Sequence, residues 1–281
     1  MNVIEAIKYL LLGLVQGVTE VLPVSSSGHV ELAKALFNLD IDEGLLFLIL
    51  VNTGSLIDVF IVFFKDIVKL LVEFFQFLFV SDKRETTRTS FDTVLKIGLA
   101  SIPAGIIGII FSDAIEAVLK EYNVLVSGVG LLFTGTLLLL ASQRKIKNGS
   151  TRITYLDAIL IGAAQAVALV PGISRSGSTT TTALKRGIGI DSAVKFSFFM
   201  YIPVSIGSLL LSVVDVAQTG VEIPNASYLF YYFLAFVGAI VPSWIAFKVI
   251  FNIFKSGRLR LFSVYCFAVG FISIALFIIK S

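Results

Sequence analysis

Apolar residues run along this chain in long blocks. They show neither the two-residue alternation of strands nor the one-sided stripe of a helix facing water. Leu45 to Phe64 and Leu261 to Ile279 are examples, each near the ~20 residues a helix needs to cross a hydrocarbon core. Four blocks, 93–111, 123–141, 226–247 and 261–279, read as single spans, and 44–64 and 192–214 are similar in length. Shorter apolar stretches, 3–23 with 28–40 and 154–170 with 176–188, are separated by polar turns. The pattern predicts an all-α, polytopic membrane protein.

Composition agrees. Of 281 residues, 57% are hydrophobic and 15% charged, with mean hydropathy +0.95; a soluble domain carries about 25% charged residues. This excludes a soluble enzyme, a disordered chain, a secreted disulfide scaffold and a nucleic-acid binder. An outer-membrane barrel would show ~10-residue alternating strands. The one cysteine, Cys266, lies inside the last apolar block and is read as a packing residue. The first apolar run contains Glu5 and Lys8, is followed by Pro23 and three serines, and lacks a small-x-small cleavage pattern. It is expected to belong to the mature fold.

The net charge of +3 says less than its distribution. Segment 65–92 holds Lys65, Lys69, Lys83, Arg84 and Arg88; 142–152 holds Arg144, Lys145, Lys147 and Arg152; 248–260 holds Lys248, Lys255, Arg258 and Arg260. Segment 112–122 has only Lys120, and 215–225 has no basic residue. The positive-inside rule makes the three basic loops cytoplasmic and the other two external. Parity then requires an odd number of crossings between 142–152 and 215–225. With 192–214 as a full span, 154–170 and 176–188 form a hairpin that enters and leaves on one side. By the same reasoning 3–23 and 28–40 form a second hairpin, entering from outside. Broken helices at membrane depth are tolerated where their free backbone groups are buried in protein or line a polar cavity, so the turns 22–29 and 171–178 are expected to be buried and polar.

The halves repeat at a shift of 149 residues. Gly13-Leu-Val-Gln16-Gly17-Val18 aligns with Gly162-Ala-Ala-Gln165-Ala166-Val167, Ser25-Ser26-Ser27-Gly28-His29 with Ser174-Arg175-Ser176-Gly177-Ser178, and Phe47 with Phe196. With opposite orientations from the loop charges, this predicts an inverted-topology repeat. The chain is then a single integral membrane domain over 1–281. Repeat one is 1–141, the cytoplasmic loop 142–152 and repeat two 153–281, with six transmembrane helices and two re-entrant hairpins.

The turns hold the unusual chemistry. The first runs from Gln16 through Glu20 and Pro23 to Ser25, Ser26, Ser27, Gly28 and His29, the sole histidine. The second runs from Pro171-Gly172-Ile173 to Ser174, Arg175, Ser176, Gly177, Ser178 and Thr179. A titratable histidine at membrane depth is a functional candidate. Glu20, in an apolar stretch, needs a partner, and Arg175 of the other half supplies one. Each Ser/Gly segment opens a short helix whose free N–H groups, hydroxyls and positive dipole end suit an anion. Arg175 adds a planar fork for phosphate oxygens. Two such termini facing one another fit a diphosphate. The reaction this set supports is phosphoryl transfer, in which charge stabilisation outweighs covalent work. His29 is a nucleophile or proton donor, oriented by Glu20, which alternatively holds a metal; Ser26 is the other candidate nucleophile.

On these motifs, Gln16–Glu20 running into Pro23-Val-Ser25-Ser26-Ser27-Gly28-His29, and Pro171-Gly172-Ile173-Ser174-Arg175-Ser176-Gly177, the sequence resembles the undecaprenyl-diphosphate phosphatases associated with bacitracin resistance. The resemblance implies an integral plasma-membrane enzyme that hydrolyses a C55 polyprenyl diphosphate to monophosphate and phosphate, recycling the lipid carrier of cell-wall synthesis. It implies a site opening to the outer face and a divalent cation, Mg2+ or Ca2+. By position, Glu20, His29 and Arg175 match the family's essential residues. Ser25, Ser26, Ser27, Ser174 and Ser176 match its phosphate-binding hydroxyls. Gln16 stands where the family has Glu or Gln, which leaves Glu20 as the acid for a metal. Ser27 replaces a common threonine. Asp58 stands where a small apolar residue is expected; it is read as structural, facing the cavity or reaching towards Lys65. Expected partners are the lipid diphosphate and the bilayer, with a homodimer left open and no nucleic acid. The rival reading is a polyprenyl-phosphate flippase using the same anion site; His29 beside Glu20 favours the enzyme.

Overall fold

A computed structural model describes residues 2–37, 45–143, 149–219, 225–255 and 258–280. These residues are helical apart from turns and an isolated bridge between Ser150 and Ile188. The helices are α1 (Val3–Val21), α2 (Ser26–Phe37), α3 (Leu45–Val62), α4 (Phe64–Phe79), α5 (Arg84–Ser142), α6 (Tyr155–Val167), α7 (Arg175–Lys185), α8 (Ile190–Thr219), α9 (Ala226–Lys255) and α10 (Leu259–Lys280). Residue 44, the end of the 28–40 segment, and parts of the loops 142–152, 215–225 and 248–260 lie outside the described residues.

Among the described residues five stretches are long and apolar enough to cross a membrane: Ser81–Phe111, Glu121–Ser142, Ile190–Gln218, Ala226–Ile250 and Leu259–Lys280. The chain is a polytopic membrane protein. Ile49–Val62 within α3 is a shorter apolar helix. At the two places expected for hairpins, α1 is followed after a turn by α2 and α6 by α7.

Two readings need correction. Segment 65–92 is not a loop, since α4 occupies most of its first half and α5 begins at Arg84. Phe74 stacks on Phe91 and the Glu73 carboxylate accepts from Ser90, which folds α4 back on α5. Lys65, Asp66, Lys69 and Glu73 interrupt the apolar residues at helical spacing, as in a helix lying at an interface. Segment 112–122 is likewise helical up to Tyr122, whose non-helical backbone (φ −118°, ψ 20°) marks a kink between two helices within α5. It contains neither Gly nor Pro, and its Ala, Glu, Leu and Lys residues favour helix.

Close approach of backbones sets the packing. A Cβ on Gly13 would lie 2.2 Å from the Ala235 carbonyl oxygen, and one on Gly162 would lie 2.3 Å from that of Ala100. Each helix pair therefore presses its first helix onto a long helix, α1 onto α9 and α6 onto α5, at the small-residue contacts that membrane helices use. Hydroxyls join α10 to α5: Ser263 donates to Gly135 O at 2.6 Å and Ser273 to Val124 O at 2.9 Å. Cys266 is fully buried in the core, as a packing residue. Thr154 and Asp157 form a reciprocal capping box at the start of α6, and Arg186 Nε, just past α7, donates to Asp157 Oδ1 at 2.7 Å. That ion pair ties the two ends of the second hairpin together.

Candidate active site

The two polar turns meet inside the protein. Gln16 and Glu20 are four residues apart on α1 and share one face. Pro23 stops the helix, and Glu20 is carried to the first turns of α2 and α7. Arg175 Nη2 donates to Glu20 Oε1 at 2.6 Å, and Ser26 Oγ donates to Oε2 at 2.5 Å. Ser26 and Arg175, 149 residues apart, are each the first residue of their short helix. Gln16 Nε2 adds a donor to Glu20 Oε2 at 3.1 Å and reaches Asn52 Oδ1 at 3.4 Å. The carboxylate thus sits against two positive helix ends and a guanidinium. Glu20 and Arg175 side chains are each 15% exposed, shielded from bulk solvent yet open to a ligand. The Arg175 guanidinium lies 3.6 Å above the Tyr201 ring centroid, a cation–π contact that fixes its plane.

A cavity of about 330 Å³ adjoins this cluster, walled by Glu20, Asn52, Gln165, Arg175, Tyr201 and Ser205. It continues along α8 past Ser208 and Ser212. Sequence reasoning did not assign Asn52, Gln165, Tyr201 or Ser205 to the site. The available signal was the repeat, for Asn52 and Tyr201 also stand 149 residues apart, as do Leu56 and Ser205 of the same cavity wall.

Most of the other predicted hydroxyls brace the turns. Ser174 caps α7, accepting from Gly177 N at 3.1 Å, and Ser174 N donates to Thr134 Oγ1 of α5 at 2.9 Å. Ser176 donates to Leu22 O at 3.3 Å, joining the turns directly. Thr179 Oγ1 donates to Arg175 O at 2.8 Å and accepts from Ser197 Oγ at 2.5 Å. Gly28 lies against Gly172, whose φ of +84° and whose distance of 2.1 Å from a built Cβ to Ser127 O leave room only for glycine. Ser25 Oγ is 3.3 Å from the hydroxyl of Ser27, which is exposed.

His29 is buried and held from both sides. Its Nδ1 is 2.7 Å from Ser25 O, and its Nε2 is 2.8 Å from the Tyr265 hydroxyl. A carbonyl only accepts, so Nδ1 carries the proton and Nε2 accepts from Tyr265. Ser25 has φ +69°, a left-handed conformation that costs a non-glycine residue about 1–2 kcal/mol. The His29 ring, together with its own backbone N–H, grips the Ser25 carbonyl. The structure brings Glu20, Ser26, Arg175 and Gln16 together; it places His29 one step behind them, against the strained turn.

Asp58 is fully buried in α3, outside the cavity wall; the Ser243 hydroxyl of α9 faces its carboxyl group, and neither carboxylate oxygen makes a well-formed hydrogen bond. A buried polar group without partners costs about 1–3 kcal/mol. Asp58→Ala should therefore raise the melting temperature of the detergent-solubilised protein and leave phosphate release intact. A lower Tm would mean that the carboxyl group holds structure together.

Among the described residues no cluster of three or more His, Cys, Asp or Glu side chains could hold a metal. The oxygen donors that lie together at the cavity are the Glu20 carboxylate and the Asn52 side-chain oxygen, both of which accept from Gln16 Nε2. Mg2+ is commonly bound through one or two carboxylates together with substrate phosphates, so this sparse set fits an ion that arrives with a diphosphate.

Residues 9–272 match the family model described as bacitracin resistance protein BacA. The chain is 41% identical over 271 residues to undecaprenyl-diphosphatase 1 of Bacillus licheniformis, covering 96% of this chain and 97% of that protein. It is 40% identical to undecaprenyl-diphosphatase 2 of Bacillus thuringiensis over 269 residues, 95% of this chain and 96% of that protein. It is 39% identical to the undecaprenyl-diphosphatase of Oceanobacillus iheyensis over 275 residues, 96% of this chain and 98% of that protein.

Proposed function

The chain belongs to the bacitracin resistance protein BacA family, and from that premise we propose that the Glu20–Arg175–Ser26 cluster is its reacting centre. The protein hydrolyses undecaprenyl diphosphate to the monophosphate and phosphate, recycling the lipid carrier of cell-wall synthesis. One observation carries the assignment: a single carboxylate is held by the first residues of two facing short helices, beside a cavity.

Arg175 and the N–H groups opening α2 and α7 receive the phosphate oxygens and take up the charge that develops on them. Ser26 Oγ attacks the terminal phosphorus, and its proton passes to Glu20 Oε2, 2.5 Å away. The bond from that phosphorus to the bridging oxygen breaks, and the monophosphate leaves with the electron pair. Water then attacks the phosphoserine. Glu20 returns its proton to Ser26 Oγ and takes one from the water, which releases phosphate and restores the serine. His29 is a positioning residue here, holding the Ser25 turn. A divalent cation would be held by Glu20 and the amide oxygen of Asn52 together with the substrate, and would supply further neutralisation of phosphate charge.

The fold reading that supports this site is an inverted repeat of one hairpin and three spans in each half. The matched glycines Gly13 and Gly162, each pressed on a long helix, favour it, as do the matched cavity positions Asn52 and Tyr201. The cavity runs along α8 towards the segment without basic residues, which favours an opening on the outer face of the plasma membrane.

The activity is tested by phosphate release from undecaprenyl diphosphate in detergent. Glu20→Gln keeps the shape of the side chain and removes the base; it is expected to lower kcat about 10²- to 10⁴-fold, and wild-type turnover in this variant would overturn the assignment. For topology, cysteines at Ser150 and Gln218 of a cysteine-free variant should label from opposite sides of intact cells, Gln218 from outside.

A further inference from the structure

Gln165 is 2% exposed on α6 and forms part of the cavity wall, and neither its Nε2 nor its Oε1 has a hydrogen-bond partner. Arg175 repeats the pattern: Nη2 is occupied by Glu20, while Nη1 is buried without a partner. Buried amide and guanidinium N–H groups are rarely left unpaired, because desolvating them is costly. Two unpaired groups of this kind in one cavity wall mark the place of a ligand with acceptor oxygens.

The equivalent position in the other half explains why Gln165 is free. Gln16, 149 residues earlier, gives its amide to Glu20, four residues further on, and to Asn52. Four residues after Gln165 stands Leu169, which also lines the cavity. The second half thus keeps the amide and replaces the acid with an apolar side chain. Ala168 and Leu209 extend that apolar surface, and they suit the first carbons of a prenyl chain.

We propose that Gln165 and Arg175 Nη1 form the subsite for the phosphate that stays on the prenyl chain, while Ser26 and Glu20 face the phosphate that leaves. The inference rests on the cavity being the active site. Arg175 then bridges the two phosphates, with one N–H edge towards each subsite. The monophosphate product would keep only the Gln165 subsite.

The test is Gln165→Leu, with Gln165→Glu as a second variant that opposes phosphate by charge. With Gln165→Leu, KM and the inhibition constant of a prenyl monophosphate should rise together by about ten- to a hundredfold, with a smaller fall in kcat. Inhibition by inorganic phosphate should stay within about twofold of wild type. The melting temperature without ligand should not fall, since an unpaired amide has been replaced by an apolar side chain of similar size. Unchanged monophosphate inhibition, or a shift confined to inorganic phosphate, overturns the subsite. A lower Tm with unchanged KM makes Gln165 structural and overturns it too. Full activity in Arg175→Ala would instead overturn the reading of the cavity as the active site, a result that no outcome in the Gln165 variants could mimic.

Discussion

Arg175→Ala is expected to abolish measurable turnover, with a fall in kcat of about 10³-fold or more. Three features of this arginine make the loss large. Its guanidinium is fixed between the Glu20 carboxylate at 2.6 Å and the face of Tyr201 at 3.6 Å, so it meets the substrate already oriented. It lies in a site shielded from bulk solvent, where a fixed positive charge is worth more than in water. And it is the cation placed between the two polar turns, in a reaction whose transition state spreads negative charge over phosphate oxygens. Removing it also strands Glu20, and breaking a buried ion pair from one side costs about 3–5 kcal/mol. A fall in activity through misfolding must therefore be separated from a fall through chemistry. The double variant Arg175→Ala with Glu20→Gln removes both charges; it should recover most of the lost melting temperature and none of the activity. Arg175→Lys keeps a charge but loses the fork and the flat contact with Tyr201, and should retain no more than about one-hundredth of wild-type turnover. Activity within tenfold of wild type in Arg175→Ala would remove this residue from the reacting centre.

The prominence of Arg175 in the sequence has a physical basis, and so does the obscurity of its neighbours. Glu20 is a charged residue in an apolar stretch, where it needs a partner, and Arg175 in the polar turn of the other half was the cation to supply it. The breaks after α1 and α6 were legible because Pro23 and Pro171 stand among serines and glycines that favour turns and helix starts. Asn52, Gln165 and Tyr201 are neutral and stand out against nothing; only their register in the repeat links them. Helix α4 was missed because its charged residues break the apolar block while preserving a helical stripe, and block length is blind to a stripe. The kink near Tyr122 was read as a loop because polar residues at a membrane surface look alike whether or not their backbone is helical. His29 was conspicuous as the only histidine. Its direction was not legible, because the rotation of α2 about its axis is set by contacts with Tyr265 and Ser25 that no local pattern encodes.

That rotation decides which side chain receives the phosphoryl group. Ser26→Ala should lower kcat by about 10³- to 10⁶-fold, the range expected when a covalent nucleophile is removed. His29→Ala should cost less, about 10- to 10²-fold, because the ring acts through the Ser25 carbonyl. His29→Asn, whose amide N–H can still donate to that carbonyl, should recover part of the loss. Tyr265→Phe removes only the donor behind the ring and should stay within about tenfold of wild type. A direct readout separates the roles without relying on rates. Quenching a turnover of substrate labelled on its terminal phosphate should trap label on Ser26 as an acid-stable phosphoserine, absent in Ser26→Ala and still formed, more slowly, in His29→Ala. Acid-labile label that disappears with His29 would make the histidine the nucleophile. Its Nε2 would then have to release the Tyr265 hydroxyl and turn towards the cavity during each cycle, a movement that would make Tyr265→Phe faster than wild type rather than slower.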